Sequence, residues 1–294
     1  MANYTLNING LLMDLSEPKV MGILNVTPDS FYSGSRSFDE ASIVSRIETL
    51  KYEGTDIVDI GACSTRPGSD TPEASEEERR LRLCLDILTN HWPDAIISVD
   101  TFRSSVARMC VEEYGVHIVN DISGGMMDSE MFMTVASLGV PYVLSHIQGT
   151  PATMHTSTHY NNLMQDILFY FSERVQMLRD LGQKDIIIDP GFGFGKTVEQ
   201  NYELLSHLDE LQILELPILS GISRKSMIYK VLDTSADKSL NGTTALNMAC
   251  LLKGSSILRV HDVGACKEVI RLYKELTIHD GFKYSERIAR YQRM

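Results

Sequence analysis

Ile186-Ile-Ile-Asp-Pro-Gly-Phe-Gly-Phe-Gly-Lys196 joins a run of isoleucines directly to an acid, a proline and three glycines. The β-branched run predicts a buried strand, and the proline and glycines predict that it ends abruptly in a loop. An entirely apolar run favours a parallel strand covered on both faces. Asp189 would then stand at the strand's carboxyl end, where α/β folds place their ligands, although it could simply cap the next helix. Gly191, Gly193 and Gly195 would let the backbone approach a flat ligand closely.

The same succession of apolar strand, loop and helix recurs along the whole chain. Predicted strands cover residues 20–24, 56–60, 95–99, 117–119, 141–145, 186–188, 217–220 and 256–260. Predicted helices cover 40–53, 73–89, a segment ending at 114, 128–138, 160–181, 198–211, 224–232, 240–252 and 266–278. Strands that alternate with helices imply parallel pairing, and eight such units close most naturally into a (β/α)8 TIM barrel. An open doubly wound sheet is the alternative, but no G-x-G-x-x-G follows the first strand.

The N-terminal segment has a different pattern. Residues 4–13 alternate between apolar and polar side chains and break at Asn9-Gly10, which is a strong hairpin signal. We therefore expect an α/β fold consisting of a TIM barrel with an N-terminal β-hairpin. Residues 1–294 would form a single domain, in which residues 1–19 are an appendage that caps one end of the barrel.

Composition limits the classes of partner. The 294 residues are 43% hydrophobic, enough for a large core, and the net charge of −12 argues against nucleic acid or an anionic membrane as the main partner. The five cysteines are scattered without a C-x-x-C motif, which predicts reduced thiols and a cytoplasmic location. No apolar run approaches about 18 residues, and residues 1–10 lack the pattern of a signal peptide, so we expect neither a membrane span nor a leader.

Polar residues accumulate where the predicted strands end, and in a barrel these ends meet on one face. One group there offers carboxylates, an amide and an ammonium: Asp100, Asn120, Asp189 and Lys225. Carboxylates match neighbouring N–H groups of a heterocycle. A second group offers a hydroxyl, two guanidiniums, an imidazole and an amide carbonyl: Thr65, Arg66, Arg259, His261 and Asn25. These suit phosphate oxygens, and the Asn25 carbonyl suits Mg²⁺. Each could singly be a cap or a salt bridge, but together they predict a nitrogen heterocycle at depth and a diphosphate at the mouth.

Eight motifs in order along the chain resemble those of the dihydropteroate synthases, a family of pterin-binding enzymes. They are Gly22-Ile-Leu-Asn-Val-Thr-Pro-Asp-Ser-Phe31, Ser64-Thr-Arg-Pro-Gly68, Ser98-Val-Asp-Thr101, Val119-Asn-Asp-Ile122, Gln148-Gly-Thr-Pro151, Asp189-Pro-Gly-Phe-Gly-Phe-Gly-Lys196, Ser223-Arg-Lys-Ser226 and Arg259-Val-His-Asp262. The resemblance implies a (β/α)8 barrel, usually homodimeric, and a transferase of folate synthesis. Such an enzyme joins 6-hydroxymethyl-7,8-dihydropterin diphosphate to 4-aminobenzoate with Mg²⁺, in an SN1-like substitution.

The resemblance also implies a role for each matching residue. The pterin would contact Asp100, Asn120, Asp189, Lys225, Ser145 and Phe194, of which the two aspartates and the lysine would be catalytic. The diphosphate would contact Asn25, Thr65, Arg259 and His261, with Asn25 also holding Mg²⁺. The 4-aminobenzoate, whose place sulfonamides take in this family, would contact Arg66, Pro67, Phe194 and Ser226. Residues 27–36 and 64–70 match two mobile loops that close over the site.

Two residues depart from the family pattern. The usual Phe-Ser-Asp-Gly of the first loop is Phe31-Tyr-Ser-Gly34 here, so Ser33 replaces an acid. The usual Met-His-Met after the fifth strand is Ser145-His-Ile147, which leaves less apolar contact beside the pterin. Neither change removes a diphosphate ligand.

The implied mechanism needs no nucleophile from the protein. Mg²⁺, Arg259 and His261 would neutralise the departing diphosphate, and Asp100 and Asp189 would stabilise the cation left on the pterin methylene. Three alternatives stay open: a methyltetrahydrofolate-binding methyltransferase domain, a pterin-binding module with little catalysis, and a sugar-phosphate barrel enzyme. The residues predicted to bind a diphosphate argue against the methyltransferase domain. The residues predicted to bind a flat heterocycle argue against the sugar-phosphate enzyme.

Overall fold

The computed structural model of this chain describes residues 4–26, 40–63, 72–149, 153 and 158–279. Within these ranges, eight parallel strands pair in chain order and the last pairs with the first, which closes a barrel. The TIM-barrel prediction is therefore confirmed. The open-sheet alternative is wrong, because the first and last barrel strands are hydrogen-bonded to each other. No helix in the described ranges combines the length and the apolar character that a membrane span needs.

The elements follow the predicted order closely. The hairpin consists of β1 (Thr5–Ile8) and β2 (Leu11–Asp14). The barrel strands are β3 (Lys19–Asn25), β4 (Ile57–Gly61), β5 (Ile97–Asp100), β6 (Ile118–Asp121), β7 (Tyr142–Ser145), β8 (Ile186–Asp189), β9 (Ile218–Ser220) and β10 (Ser255–Val260). The helices are α1 (Glu40–Tyr52), α2 (Ala74–His91), α3 (Ser104–Tyr114), α4 (Met131–Leu138), α5 (Leu163–Asp180), α6 (Val198–Ser206), α7 (Ser226–Tyr229), α8 (Leu240–Leu252) and α9 (Val263–His279).

Two predicted helices are shorter than expected. The segment 198–211 is α6 followed by a 3₁₀ helix, Leu208–Leu214, instead of one α-helix. The segment 224–232 contains only the single turn α7. Arg224 cannot begin a right-handed helix there because its φ is 57°, and its guanidinium is held by a bidentate ion pair with Asp262 at 2.7 and 2.8 Å.

The N-terminal hairpin covers the amino-terminal end of the barrel, as predicted. Asn9 and Gly10 both have positive φ, which a two-residue turn of the primed type requires. The side chains of Leu6 and Ile8, in β1, are buried against one apolar side chain from each of seven barrel strands. These are Met21, Ile57, Ile118, Val143, Ile187, Leu219 and Ile257. They form an apolar layer across the barrel interior, which we call the barrel floor.

The polar residues of interest stand directly above the barrel floor. Side chains two residues apart on a strand point to the same face. The residue two positions after each floor residue therefore also faces the barrel interior, nearer the carboxyl end of the strand. Ile57 is followed by Asp59, Ile118 by Asn120, Ile187 by Asp189 and Ile257 by Arg259. One strand thus supplies both the apolar floor and, two residues later, a polar side chain at the carboxyl end of the barrel.

Candidate active site

Three strands, β3, β5 and β6, present predicted site residues at one level of the barrel, and β4 contributes a glycine at the same level. In the strand register, Asn25 of β3 pairs with Gly61 of β4, Gly61 pairs with Asp100 of β5, and Asp100 pairs with Asn120 of β6. On the other side of the barrel, Ser145 of β7 pairs with Asp189 of β8. The parallel register therefore brings together the residues predicted for metal, diphosphate and pterin.

Arg259 of β10 crosses the barrel interior and contacts two carboxylates. Its Nε donates to Asp59 Oδ2 at 2.6 Å and its Nη2 donates to Asp100 Oδ2 at 2.9 Å. The amide Nδ2 of Asn120 donates to the same Asp59 carboxylate, at 3.2 Å to Oδ2. Asp100 and Asn120, predicted for the pterin, are thus joined with Arg259, predicted for the diphosphate, in one hydrogen-bonded network that includes Asp59.

Burial and charge set the protonation behaviour of this network. Burial raises the pKa of Asp100 to about 7, although the Arg259 guanidinium acts in the opposite direction. For Arg259, burial lowers the pKa, but Asp59 and Asp100 outweigh it and raise the pKa above its usual value. Arg259 is therefore a permanent cation, whereas Asp100 changes charge near neutral pH.

Asp189 and Lys225 form the second charged group of the site. Asp189 Oδ1 accepts from the backbone N–H of Gly191 at 2.8 Å, which fixes the carboxylate at the end of β8. The Lys225 ammonium donates to the carbonyl of Phe192 and lies 4.1 Å from the ring centroid of Phe194, a cation–π contact. Burial lowers the pKa of Lys225 to about 8 and raises that of Asp189, and each group opposes the shift of the other.

The glycines after Asp189 allow close packing inside the site. A Cβ on Gly191 would lie 1.9 Å from the His146 carbonyl oxygen, and one on Gly193 would lie 3.1 Å from Lys225 Cδ. Both residues have positive φ. These glycines therefore allow close approach of the backbone to the neighbouring loop and to the Lys225 stem, and its close approach to a ligand stays a prediction.

Lys196 fixes this glycine loop from inside. Its buried ammonium lies 2.9 Å from His146 Nδ1 and donates to the carbonyls of Gly191 and Phe194 at 3.0 and 3.1 Å. Burial lowers the pKa of Lys196 to about 7. Sequence reasoning quoted Lys196 but gave it no role, and its contacts hold the backbone that carries Phe194.

His261 is partly buried, and the expectation that it helps to neutralise a diphosphate stays a prediction. Burial, followed by the nearby Arg259, lowers its pKa to about 4. Ser223 Oγ accepts the backbone N–H of His261 at 3.2 Å and lies 3.0 Å from its Nδ1, so its hydroxyl is placed to donate to Nδ1. That tautomer leaves Nε2–H as a donor, and Arg46 fixes the backbone by donating to the His261 carbonyl at 2.7 Å.

The oxygen donors near Gly61 suit a magnesium ion. A Cβ on Gly61 would lie 3.3 Å from Asn25 Oδ1 and 3.6 Å from Asp100 Oδ2, so both oxygens face one small space. Mg²⁺ prefers oxygen ligands and commonly takes only one or two from the protein, the rest coming from phosphate and water. Among the described residues no group of three or more His, Cys, Asp and Glu could hold a metal alone, so a ligand would have to complete the site.

Several predicted residues lie outside the described ranges. These are Thr65, Arg66 and Pro67, together with both loop segments 27–36 and 64–70 and the departure Ser33. Ser226 opens α7 directly after Lys225 and is partly exposed. Ser145, the other departure, is buried, and its carbonyl accepts the hydroxyl of Tyr170 at 2.7 Å.

Sequence reasoning missed two buried acids. Asp59 was read only as part of a strand, although an acid inside an apolar run was a signal for it. Glu77 of α2 is fully buried, pairs with Arg103 and accepts the hydroxyl of Thr101 at 2.6 Å. Arg103 also donates to the carbonyl of Pro72 at 2.6 Å, so this ion pair connects the residue after Asp100 with the chain that enters α2.

Comparison with known proteins identifies the family. The family described as pterin binding enzyme matches residues 21–261. The dihydropteroate synthase of Haemophilus influenzae is 37% identical over 268 residues, which are 90% of this chain and 96% of that protein. This chain belongs to the dihydropteroate synthase family. It is therefore an enzyme of folate synthesis and a transferase, and the methyltransferase and sugar-phosphate alternatives are excluded.

Solved structures of dihydropteroate synthases have the same fold. The Yersinia pestis enzyme in complex with a sulfonamide drug has a TM-score of 0.87 at 36% identity, covering 93% of this chain and 99% of that one. The Xanthomonas albilineans enzyme with 4-aminobenzoic acid has a TM-score of 0.86 at 33% identity, covering 94% of this chain and 99% of that one. The synthase fold thus extends over nearly the whole chain, including the strands that carry the polar site.

Proposed function

We propose that this dihydropteroate synthase joins 6-hydroxymethyl-7,8-dihydropterin diphosphate to 4-aminobenzoate and releases pyrophosphate at the carboxyl end of the barrel. The proposal rests on the hydrogen bonds that surround Arg259. The guanidinium, on the side that suits a diphosphate, donates to Asp59 and Asp100, and Asp59 also accepts from Asn120 on the side that suits a heterocycle. A substrate whose flat ring and diphosphate are separated by one methylene would span both sides.

The pterin half is held by polar groups of fixed direction. The Asp189 carboxylate is anchored by Gly191 and accepts ring N–H groups, while Asn120 offers its amide oxygen because its nitrogen donates to Asp59. The Lys225 ammonium supplies a donor for a ring nitrogen or carbonyl. These three side chains give the pocket a pattern that matches a pterin better than a sugar ring.

The reaction begins with cleavage of the C–O bond between the methylene carbon and the diphosphate, whose oxygen keeps the bonding pair. Arg259 brings positive charge to that oxygen, and His261 donates a hydrogen bond from Nε2 without charge. The methylene cation that remains is conjugated with the pterin ring. Ionised Asp100 and Asp189 stabilise it electrostatically, in an interior where burial strengthens such interactions.

The amine of 4-aminobenzoate then forms a C–N bond with the methylene carbon and loses a proton to solvent. Ser226 and Phe194 flank Lys225 on the side where this second substrate would enter. Asn25 and Asp100 would hold Mg²⁺ together with the diphosphate oxygens, and the ion would supply further positive charge to the leaving group. Thr65, Arg66 and Pro67 keep their proposed contacts with diphosphate and 4-aminobenzoate.

A turnover assay with both substrates and Mg²⁺ tests the proposal, with release of pyrophosphate and formation of dihydropteroate as readouts. We expect product from both substrates and a loss of at least a hundredfold in kcat/KM in Asp189→Ala or Lys225→Ala. The second candidate, a pterin-binding module with little catalysis, is favoured by Ser33. Tight binding of the pterin diphosphate without product would support that candidate, and Ser33→Asp should then restore turnover.

We also propose a homodimer located in the cytoplasm. Apolar side chains are exposed on neighbouring elements, with Val231 and Leu232 just after α7 and Leu240 and Leu252 on α8, and such a surface suits a second copy of the chain. The five cysteines are free thiols, which suits a reducing compartment. Light scattering should give twice the chain mass of 33.0 kDa, and Leu232→Lys should reduce it to the monomer.

A further inference from the structure

The Asp59 carboxylate is a buried acid at the centre of the site. Its side chain is fully buried in β4, two residues before Gly61. Its Oδ2 accepts from Arg259 Nε at 2.6 Å and from Asn120 Nδ2 at 3.2 Å, and its Oδ1 lies 3.4 Å from the same Asn120 nitrogen. The residue therefore contacts one side chain on each side of the proposed substrate.

An apolar side chain occupies the paired position on the neighbouring strand. The residue paired with Asp59 on β3 is Ile23, an apolar side chain that is itself buried. A buried ion pair is weak support for stability, since the loss of hydration of both ions offsets their attraction, and apolar replacements are often equally stable. The presence of Asp59 is therefore better explained by its orienting of Arg259 and Asn120 than by a contribution to stability.

We propose that Asp59 is a positioning residue that sets both halves of the substrate site, an inference that rests on the proposed function. By holding Nε of Arg259, it fixes the plane of the guanidinium and therefore the directions in which the two Nη groups can donate to a diphosphate. By holding Nδ2 of Asn120, it fixes the amide so that Oδ1 faces the heterocycle as an acceptor. Binding of the two substrate halves is coupled through this one carboxylate.

The first test needs no substrate. In the ligand-free protein, the Nε–Hε signal of Arg259 should be resolved by ¹⁵N NMR, assigned by its absence in Arg259→Met, and exchange slowly with water. Asp59→Asn should shift this signal and speed its exchange at least tenfold, because the charge-assisted hydrogen bond is lost. The matched control is Asp56→Asn, one residue before β4, where the carboxylate accepts from Lys267 Nζ and from the N–H of Val20. That change should leave the Arg259 signal unmoved.

The second test measures binding by calorimetry with two probes, pyrophosphate with Mg²⁺ and 6-hydroxymethylpterin. Asp59→Asn should weaken each about tenfold, which corresponds to about 1.4 kcal/mol. In an Arg259→Met background, Asp59→Asn should weaken only the binding of the pterin. In an Asn120→Ala background, it should weaken only the binding of pyrophosphate. If Asp59→Asn alone fails to fold, the double variant of Asp59→Asn and Arg259→Met removes both charges together. Its affinity for the pterin is then compared with that of Arg259→Met.

The outcomes separate the alternatives. The proposal is overturned if Asp59→Asn leaves both affinities within twofold of the parent, or if its effects are equally large in both backgrounds, since a structural role alone would give those results. An unmoved Arg259 signal would overturn it as well. Failure of the unaltered protein to bind either probe would instead contradict the proposed function, and the NMR test would still decide whether Asp59 holds Arg259.

Discussion

Gly61→Ala places one methyl group in the space proposed for magnesium and diphosphate. The added Cβ would lie 3.3 Å from Asn25 Oδ1 and 3.6 Å from Asp100 Oδ2, with no backbone atom among its nearest contacts. Gly61 does not have positive φ, so alanine fits the strand. Accommodating the methyl needs a shift of a few tenths of an ångström in the Asn25 side chain, but the methyl would occupy the position between the two oxygen ligands.

The expected effects on stability and on catalysis have opposite signs. Replacing glycine by alanine at a compatible position stabilises a protein by about 0.5 kcal/mol, because the unfolded chain loses freedom. The methyl would keep the metal out of the position between its two oxygen ligands, and displacement of reacting groups by about 1 Å costs on the order of a hundredfold in rate. We therefore expect an unchanged or slightly higher Tm together with a loss of about a hundredfold in kcat/KM for the pterin diphosphate, and a small change in KM for 4-aminobenzoate.

Thermal unfolding and steady-state kinetics measure both quantities on the same preparation. Gly264→Ala, in the first turn of α9, is the matched control, because its Cβ would make an ordinary contact of 3.4 Å with Glu53 outside the barrel interior. It should change kcat/KM less than twofold. Normal kinetics in Gly61→Ala would refute the placement of the metal and diphosphate between Asn25 and Asp100, and a collapse of Tm would refute the steric reasoning.

Three further predictions follow from the site and from the barrel floor. The kcat/KM for the pterin diphosphate should rise through about pH 7 as Asp100 ionises and fall above about pH 8 as Lys225 loses its proton, and Lys225→Arg should move the alkaline limb upward by at least one pH unit. Leu6→Ala should lower the free energy of unfolding by about 3 kcal/mol in denaturant titrations while KM stays within twofold, whereas Leu11→Ala, 76% exposed in the same hairpin, should change neither. Chelation with EDTA should abolish turnover and Mn²⁺ should restore it, and Asn25→Ala should raise the Mg²⁺ concentration needed for half-maximal rate about tenfold.

Local patterns were sufficient to predict the barrel and the position of most site residues. The isoleucines before Asp189, followed at once by a proline and glycines, favoured a buried strand, and in a parallel barrel its end would lie on the ligand face. The Asn9-Gly10 turn predicted the hairpin for a similar reason, since its residues favour positive φ. Where a short pattern strongly favours one conformation, the sequence alone is enough to predict that conformation.

Properties that depend on contacts distant in sequence were not predictable. The charge state of His261 depends on its burial and on Arg259, and the left-handed conformation of Arg224 accompanies an ion pair with Asp262. The role of Gly191 depends on the His146 carbonyl, which another loop brings to it. Asp59 was missed because a strand sequence does not show that its partners come from β6 and β10.

The closure of the barrel has a consequence for the order of events during folding. Ile257 pairs with Lys19, so contact between the first and last barrel strands joins residues that are separated by almost the whole barrel sequence. Contacts of such long range are slow to form, because loop-closure entropy is lost before they contribute. Arg259 lies on that last strand, and His261 directly follows it. During refolding, the capacity to bind pyrophosphate should therefore lag behind the recovery of helical circular dichroism, and it reports the moment at which the ring closes.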